Sequence, residues 1–339
     1  IEAIPLVGSG IAYQKKDISP IIKNKVLPSG GFLRHLSSLA KDLRSGLIMG
    51  LHKQRKAIKH AKHHSNMVIC VGDVFCLLMA SLGKKVPIYF VPTAKSSKLT
   101  PHSILEATIM KRAAHGVFTR DALTASDLQN QGVNAYYLGN PMMDNLDSTG
   151  ETFGIKPTDK VVGILPGSRK ESLENFSHIL KVIEILHKDK VSCKFIAGVS
   201  DDFSLDGLFF KSPHWRLTSD RPLILSHLSE PINVTLTDKF TDVLHMSQLI
   251  IGLAGTANEQ AIFMGKPVIC FQGFGPQSTL TRFLEQQKLM GKGLYIVANP
   301  APKEIANQVK ILLKLHTSNK KMSPQNASKR IIQHVLNDR

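Results

Sequence analysis

Apolar residues along this chain fall into two patterns, short unbroken runs and longer stretches where they recur at helical spacing. Unbroken runs flanked by turn residues read as strands buried on both faces, with the stretches between them as covering helices. In the first half the runs are Val68-Ile69-Cys70-Val71, Pro87 to Val91, Gly116-Val117-Phe118-Thr119 and Tyr136-Tyr137-Leu138. A helix over 121–131 ends at Gly132. In the second half the pattern predicts strands at 161–165, 193–198, 232–235, 248–252, 267–271 and 294–297. Helices are expected near 169–188, 239–246, 257–265, 277–290 and 302–315, with a last one at 330–336. Strand alternating with helix is the signature of a parallel doubly wound α/β sheet. Upstream, Leu33, Leu36, Leu39, Leu43, Leu47 and Leu51 mark an amphipathic helix, or two broken near Gly46 or Gly50. Ile1 to Leu6 reads as a further strand.

Two cores are expected from 339 residues, and 42% hydrophobic with 20% charged residues is ordinary for a folded chain. Gly139-Asn140-Pro141 closes the first half, and Asp144 to Asp159 has linker composition. The expected division is 1–146, 147–317 and a tail with its helix at 318–339. The run Met67 to Leu82 is interrupted by Gly72-Asp73, so it reads as a buried strand and helix rather than a membrane span.

Charge changes the picture locally. The net charge is +17, and residues 15–64 hold twelve Lys or Arg against Asp17 and Asp42. Such a stretch attracts an anionic membrane surface, polyphosphate or nucleic acid alike, or serves only as a solvated face. Cys70, Cys76, Cys193 and Cys270 lack metal-ligand spacing and read as buried thiols, usage that suits a reducing cytoplasm. His60 and His64 are four apart, but no carboxylate lies near them, so no metal is expected.

Two turns hold the candidate chemistry. Pro166-Gly167-Ser168-Arg169 follows one apolar run and Gly252-Leu253-Ala254-Gly255-Thr256 another, each opening a helical pattern. Side by side at the rim of one sheet, two helix N-termini would favour a phosphate or pyrophosphate. Ser168 with Glu171, and Thr256 with Glu259, also have capping-box spacing, which explains those side chains without a ligand. Capping leaves Gly167 beside Arg169, and Gly252 with Gly255, unexplained. Gly273, Gly275 and Gln277 form a third such turn. In the first half Asp73 ends a strand, as a general base or as a helix cap, and Thr93, Lys95 and Ser96 follow the next strand.

I-L-P-G-S-R at 164–169, A-G-T-A at 254–257 and G-K-P at 265–267 resemble motifs of lipid-A-disaccharide synthases, as do G-D at 72–73, Y-F-V-P at 89–92 and G-N-P-M-M-D at 139–144. The likeness spans about residues 60 to 300 and looks closest to the branch described as lipid-A-disaccharide-synthase-related. It implies a GT-B-like fold of two Rossmann-like domains facing a cleft, acceptor side first and nucleotide-sugar side second. It also implies an inverting sugar transferase with a UDP-sugar donor and a lipid acceptor, without metal; the basic, amphipathic segment 33–64 motivates a peripheral place on the cytoplasmic membrane face, and no nucleic-acid partner is expected. Gly167, Ser168, Arg169, Gly255 and Thr256 would then hold the donor diphosphate, and Gln277 would meet its sugar. The ribose carboxylate of the family falls at Gln260, so either that amide replaces it or Glu259 takes the role. Asp73 would be the base, with Thr93, Lys95 and Ser96 on the acceptor side. Family members open with a strand, Gly-rich turn and helix that this chain is expected to lack, which leaves an inactive nucleotide-sugar or polyanion binder as an alternative. A nucleotide-sugar epimerase of the same fold is another.

Overall fold

A computed structural model describes residues 1–8, 10, 13, 17–22, 46–93, 95–200, 203–315 and 325–338. Of the amphipathic helix expected from Leu33, residues 33–45 lie outside the described residues, and the remainder is α1 (Leu47–His64). Ala57, Ile58 and Ala61 bury one face of α1, and the ammonium group of Lys62 donates to Ala80 O at 2.8 Å. The strand expected over Ile1 to Leu6 does not form. Ala3 makes only an isolated bridge with Pro20, and Pro5 has no N–H to give to a ladder.

The first unit builds its sheet from β1 (Val68–Gly72), β2 (Ile88–Pro92), β3 (Gly116–Phe118) and β4 (Ala135–Tyr136). All are parallel and lie in chain order. Between them run α2 (Val74–Ala80), α3 (Ile104–Ala113) and α4 (Ala122–Asn130). Each helix starts on a side-chain cap, satisfying backbone N–H groups the helix itself cannot pair. Asp73 accepts from Cys76 N at 3.3 Å, Ser103 and Glu106 form a complete capping box, and Asp121 accepts from Thr124 N at 2.9 Å. Leu77, Phe90, Met110, Val117 and Leu128 make the core between sheet and helices. Among the described residues β1 pairs only with β2, and its Ile69 and Val71 are exposed.

The second unit contains β5 (Val161–Leu165), α5 (Ser172–Lys188), β6 (Lys194–Gly198), α6 (Leu205–Lys211), β7 (Trp215–Asp220), β8 (Leu223–His227), β9 (Asn233–Thr237), α7 (Phe240–Met246), β10 (Leu249–Gly252), α8 (Thr256–Phe263), β11 (Val268–Phe271), α9 (Leu280–Met290), β12 (Leu294–Val297) and α10 (Pro302–Leu315). Across the sheet the order is β12-β11-β10-β5-β6-β9-β8-β7. Its six parallel strands are those the apolar runs predict. The antiparallel hairpin β7–β8 was not expected, since its strands are only partly buried and lack an unbroken apolar run. Along α5, Phe176, Ile179, Leu180, Ile183 and Leu186 are fully buried at helical spacing. Each such side chain contributes roughly 1.5–3 kcal/mol.

The connecting segment is bonded to the second unit by side chains from two helices and the turn before α7. Gln260 Nε2 donates to Met142 O at 2.7 Å, and His245 Nε2 lies 2.7 Å from Leu146 O. Lys239 pairs with Glu151. Asp242, fully buried, accepts from Ser148 Oγ at 2.6 Å and Thr149 N at 2.7 Å. The compact units therefore divide at Asn140 and Pro141, ahead of the boundary drawn from linker composition. The last helix, α11 (Ala327–Asn337), belongs with the first unit, where Ile331 and Val335 pack on Tyr89, Val91 and Phe118. Burial pushes the thiols of Cys70, Cys193 and Cys270 up to about 12. Among the described residues, no helix is long and apolar enough to cross a membrane.

Burial alone would raise the Asp242 carboxyl, but the hydrogen bonds from Ser148, Thr149 and Gly150 hold it below the ordinary aspartate range. A depressed folded value means that the stability it contributes is present above the unfolded value and is lost as pH falls through the folded one. Asp242→Ala should cost ~2–4 kcal/mol in urea unfolding at pH 7. That difference from wild type should shrink as pH falls from about 4, the ordinary aspartate value, through the lower value of the folded carboxyl.

Candidate functional site

Strand order reverses between β5 and β10. Beyond β5 the parallel neighbours in the sheet are β6 and then β9, whereas beyond β10 they are β11 and then β12. Both strands are parallel and end together, Leu165 being paired with Gly252. Leu253 N donates to Leu165 O at 2.9 Å, so the turn after β10 starts against the turn after β5. In doubly wound sheets such a switch point, at the carboxyl ends of the strands, is where ligands bind.

Glycine is required in both turns. Gly167 has φ +100°, a left-handed conformation that strains any side chain, and a Cβ there would lie 3.7 Å from Leu253 O. At Gly252 a Cβ would stand 2.1 Å from Asn258 Oδ1, whose amide nitrogen donates to Gly252 O at 3.1 Å. A third turn, residues 273–278, is tied to both. Buried Asn175 donates to Pro166 O at 3.1 Å and accepts from Phe274 N at 2.8 Å. Buried Ser278 donates to Leu253 O at 3.1 Å. Glu171 packs where a Cβ on Gly275 would sit, 2.7 Å from its carboxyl carbon.

Neither expected capping box forms. α5 begins only at Ser172, with Glu171 at its N-cap, and α8 begins at Thr256 itself, with Gly255 at its N-cap. The spacing was right for a box, but each helix starts too late for its hydroxyl residue to be the cap. No side chain caps either helix, and Ser168, Arg169, Gly255 and Thr256 are exposed. Glu259 is half-buried in the first turn of α8. Gln260 commits its amide nitrogen to Met142 O. Gln277 is half-buried in the third turn. The lysine of G-K-P holds backbone in place, since Lys266 is buried and donates to Ser247 O at 2.7 Å just past the end of α7. Burial pushes its ammonium down to about 8.

At the carboxyl edge of the first sheet, Asp73 follows β1, Thr93, Lys95 and Ser96 follow β2, and Arg120 follows β3. Asp73 is exposed and caps α2. Thr93 N donates to Gly72 O at 3.1 Å, and Arg120 Nη1 donates to Thr93 O at 3.3 Å. Lys95 reaches both oxygens of Glu106 at 2.7 and 2.8 Å, and buried Ser96 accepts from Lys98 N at 3.2 Å. Burial alone would raise the Glu106 carboxyl, but Lys95 and Ser103 hold it low, while burial pushes His102 down. The sequence reading missed Glu106, His102 and Arg120. Only the S-x-x-E spacing of Ser103 and Glu106 could have signalled them.

Two Rossmann-like units in one chain define an α/β protein of GT-B type. A putative UDP-N-acetylglucosamine 2-epimerase from Listeria monocytogenes has a TM-score of 0.59 at 14% identity, covering 97% of this chain and 86% of that one. The S. aureus MnaA–UDP co-structure has a TM-score of 0.56 at 16% identity, covering 96% and 86%. At these identities the likeness is one of fold. By sequence the chain is similar to lipid-A-disaccharide synthases, the family its motifs resemble. The enzyme of Syntrophotalea carbinolica is 22% identical over 238 residues, 67% of this chain and 56% of that protein. The enzyme of Geobacter sulfurreducens is 26% identical over 156 residues, 44% of this chain and 37% of that protein. The chain thus spans about half or less of the length of the relatives it matches. No protein-family model matches it.

If Asn175 is the brace between turns, Asn175→Ala should cost about 1–3 kcal/mol. Amide hydrogen exchange should then quicken in both 166–170 and 272–278. Acceleration confined to one segment would assign the brace elsewhere.

Proposed function

We propose that the chain is a nucleotide-sugar enzyme, specifically a glycosyltransferase resembling lipid-A-disaccharide synthase that moves a sugar from a UDP-sugar to a lipid-like acceptor. The observation that carries this reading is the adjacency of the Gly167–Arg169 and Gly255–Thr256 turns at the strand-order reversal of the second sheet. Similarity to lipid-A-disaccharide synthases supports the reaction class. A UDP co-structure among the fold neighbours supports the nucleotide.

In this reading the donor diphosphate lies against the starts of α5 and α8. Uncapped N–H groups and the helix dipoles oppose its charge there, and Arg169 adds a planar pair of donors. Ser168 and Thr256 supply hydroxyl donors, Glu259 accepts from the ribose, and Gln277 contacts the sugar. Asp73 takes the proton from an acceptor hydroxyl as that oxygen attacks the anomeric carbon. The bond to the diphosphate oxygen breaks and configuration inverts. Charge building on the leaving diphosphate is met by helix starts and Arg169, so no metal is required. Thr93, Lys95 and Ser96 shape the acceptor side through the backbone between β2 and α3. Residues 33–64 bring the protein to an anionic membrane surface on the cytoplasmic side.

Arg169→Ala should raise the dissociation constant of UDP roughly tenfold to a hundredfold. Glu259→Ala should raise it about tenfold, and unchanged binding with lowered thermal stability would reduce Glu259 to a helix residue. Asp73→Asn should abolish transfer while leaving donor binding intact, and retained turnover would remove Asp73 from the reaction.

A second reading, a nucleotide-sugar epimerase, is favoured by the UDP-N-acetylglucosamine 2-epimerase among the fold neighbours. It needs no acceptor. A new sugar isomer formed from donor alone would select it, and product that depends on a lipid acceptor would select transfer.

A further inference from the structure

The opposite edge of the second sheet holds a concentration of lysines that the proposed reaction does not use. A cavity of about 690 Å3 there is lined in part by Lys160, Lys194, Lys310, Lys314, Asp159 and Asp189. Lys160 immediately precedes β5 and Lys194 opens β6, and Lys194 N donates to Lys160 O at 2.7 Å, so these two stand on neighbouring strand starts. Lys310 and Lys314 are one turn apart on α10, a like-charge spacing that by itself weakens a helix.

The carboxylates are already engaged. Asp189 pairs with Lys310 at 2.6 Å, and Asp159 accepts from Lys156 N at 2.9 Å. Among the described residues, the ammonium groups of Lys160, Lys194 and Lys314 have no hydrogen bond or ion pair. Nor are lysines needed to cap α5, whose last carbonyls are taken by backbone. Asp189 N donates to Ile185 O at 2.9 Å, Lys190 N to His187 O at 2.8 Å and Val191 N to Leu186 O at 3.0 Å. A second cavity of about 460 Å3 shares His187, Val191 and Ser192 with the first and adds Lys188 and Lys190. Its one carboxylate, Glu230, lies 3.4 Å from His187.

From this we infer that the amino-edge cavity binds a phosphate-rich anion, of the pyrophosphate or phosphate-monoester class, through Lys160, Lys194 and Lys314. Lysine binds phosphate as a point charge without fixed geometry, and the volume is in the range that encloses a small ligand. An anion there also relieves the mutual repulsion of the unpaired lysines. The site is distinct from the carboxyl-edge turns and does not depend on what those bind. A soluble polyphosphate and a phospholipid headgroup present the same chemistry.

The test is acetylation of the whole chain by an N-hydroxysuccinimide ester, read lysine by lysine by mass spectrometry at matched ionic strength. Millimolar pyrophosphate should slow Lys160, Lys194 and Lys314 at least threefold while leaving the exposed Lys111 and Lys303 unchanged. Protection by pyrophosphate assigns a soluble ligand. Protection only by phosphatidic acid vesicles, and not by phosphatidylcholine, assigns a headgroup. Equal rates at all lysines with either probe, or uniform slowing of every lysine, would overturn the site.

Discussion

The 2.9 Å hydrogen bond from Leu253 N to Leu165 O joins two chain segments far apart in sequence just where both leave the sheet. It continues the parallel pairing of β5 with β10 for one residue past the strand, and so fixes the distance between the two turns. The diphosphate site proposed for the second unit depends on that register. A slip of one residue would put a side chain where Gly163 now stands, against Ser247 Oγ and Ile250 Cδ1, so close packing protects the site geometry.

Polar groups do the fine positioning. Asn175, Ser278 and Asn258 are buried, and each spends its side chain on turn backbone rather than on another side chain. Leaving any of these backbone groups unpaired in the interior costs more than the bond itself contributes, which makes the three turns cooperative. Asp242 and Gln260 apply the same logic to the connecting segment, binding it to α7 and α8 instead of leaving it a loose tether.

The parallel strands were readable because burial on both faces forces unbroken apolar runs such as Val161 to Leu165 and Val268 to Phe271. The hairpin β7–β8 escaped because one-sided burial at a sheet edge leaves no such run. The glycine turns were readable for a local reason, the backbone freedom that Gly167 needs at φ +100°. The capping boxes were misread because spacing alone does not say which residue begins the helix. The bonds made by Asn175, Asp242 and Gln260 left no signal, since their partners Phe274, Ser148 and Met142 are about a hundred residues away and only the tertiary fold brings them together.

The central claim is that the paired turns grip a diphosphate. Titration calorimetry of the folded chain with UDP, UMP and uridine reads it directly. The account predicts saturable heat with UDP and a loss of at least tenfold in affinity on removing the β-phosphate. Equal affinity for UDP and uridine, or no heat with UDP from a well-folded protein, would contradict it.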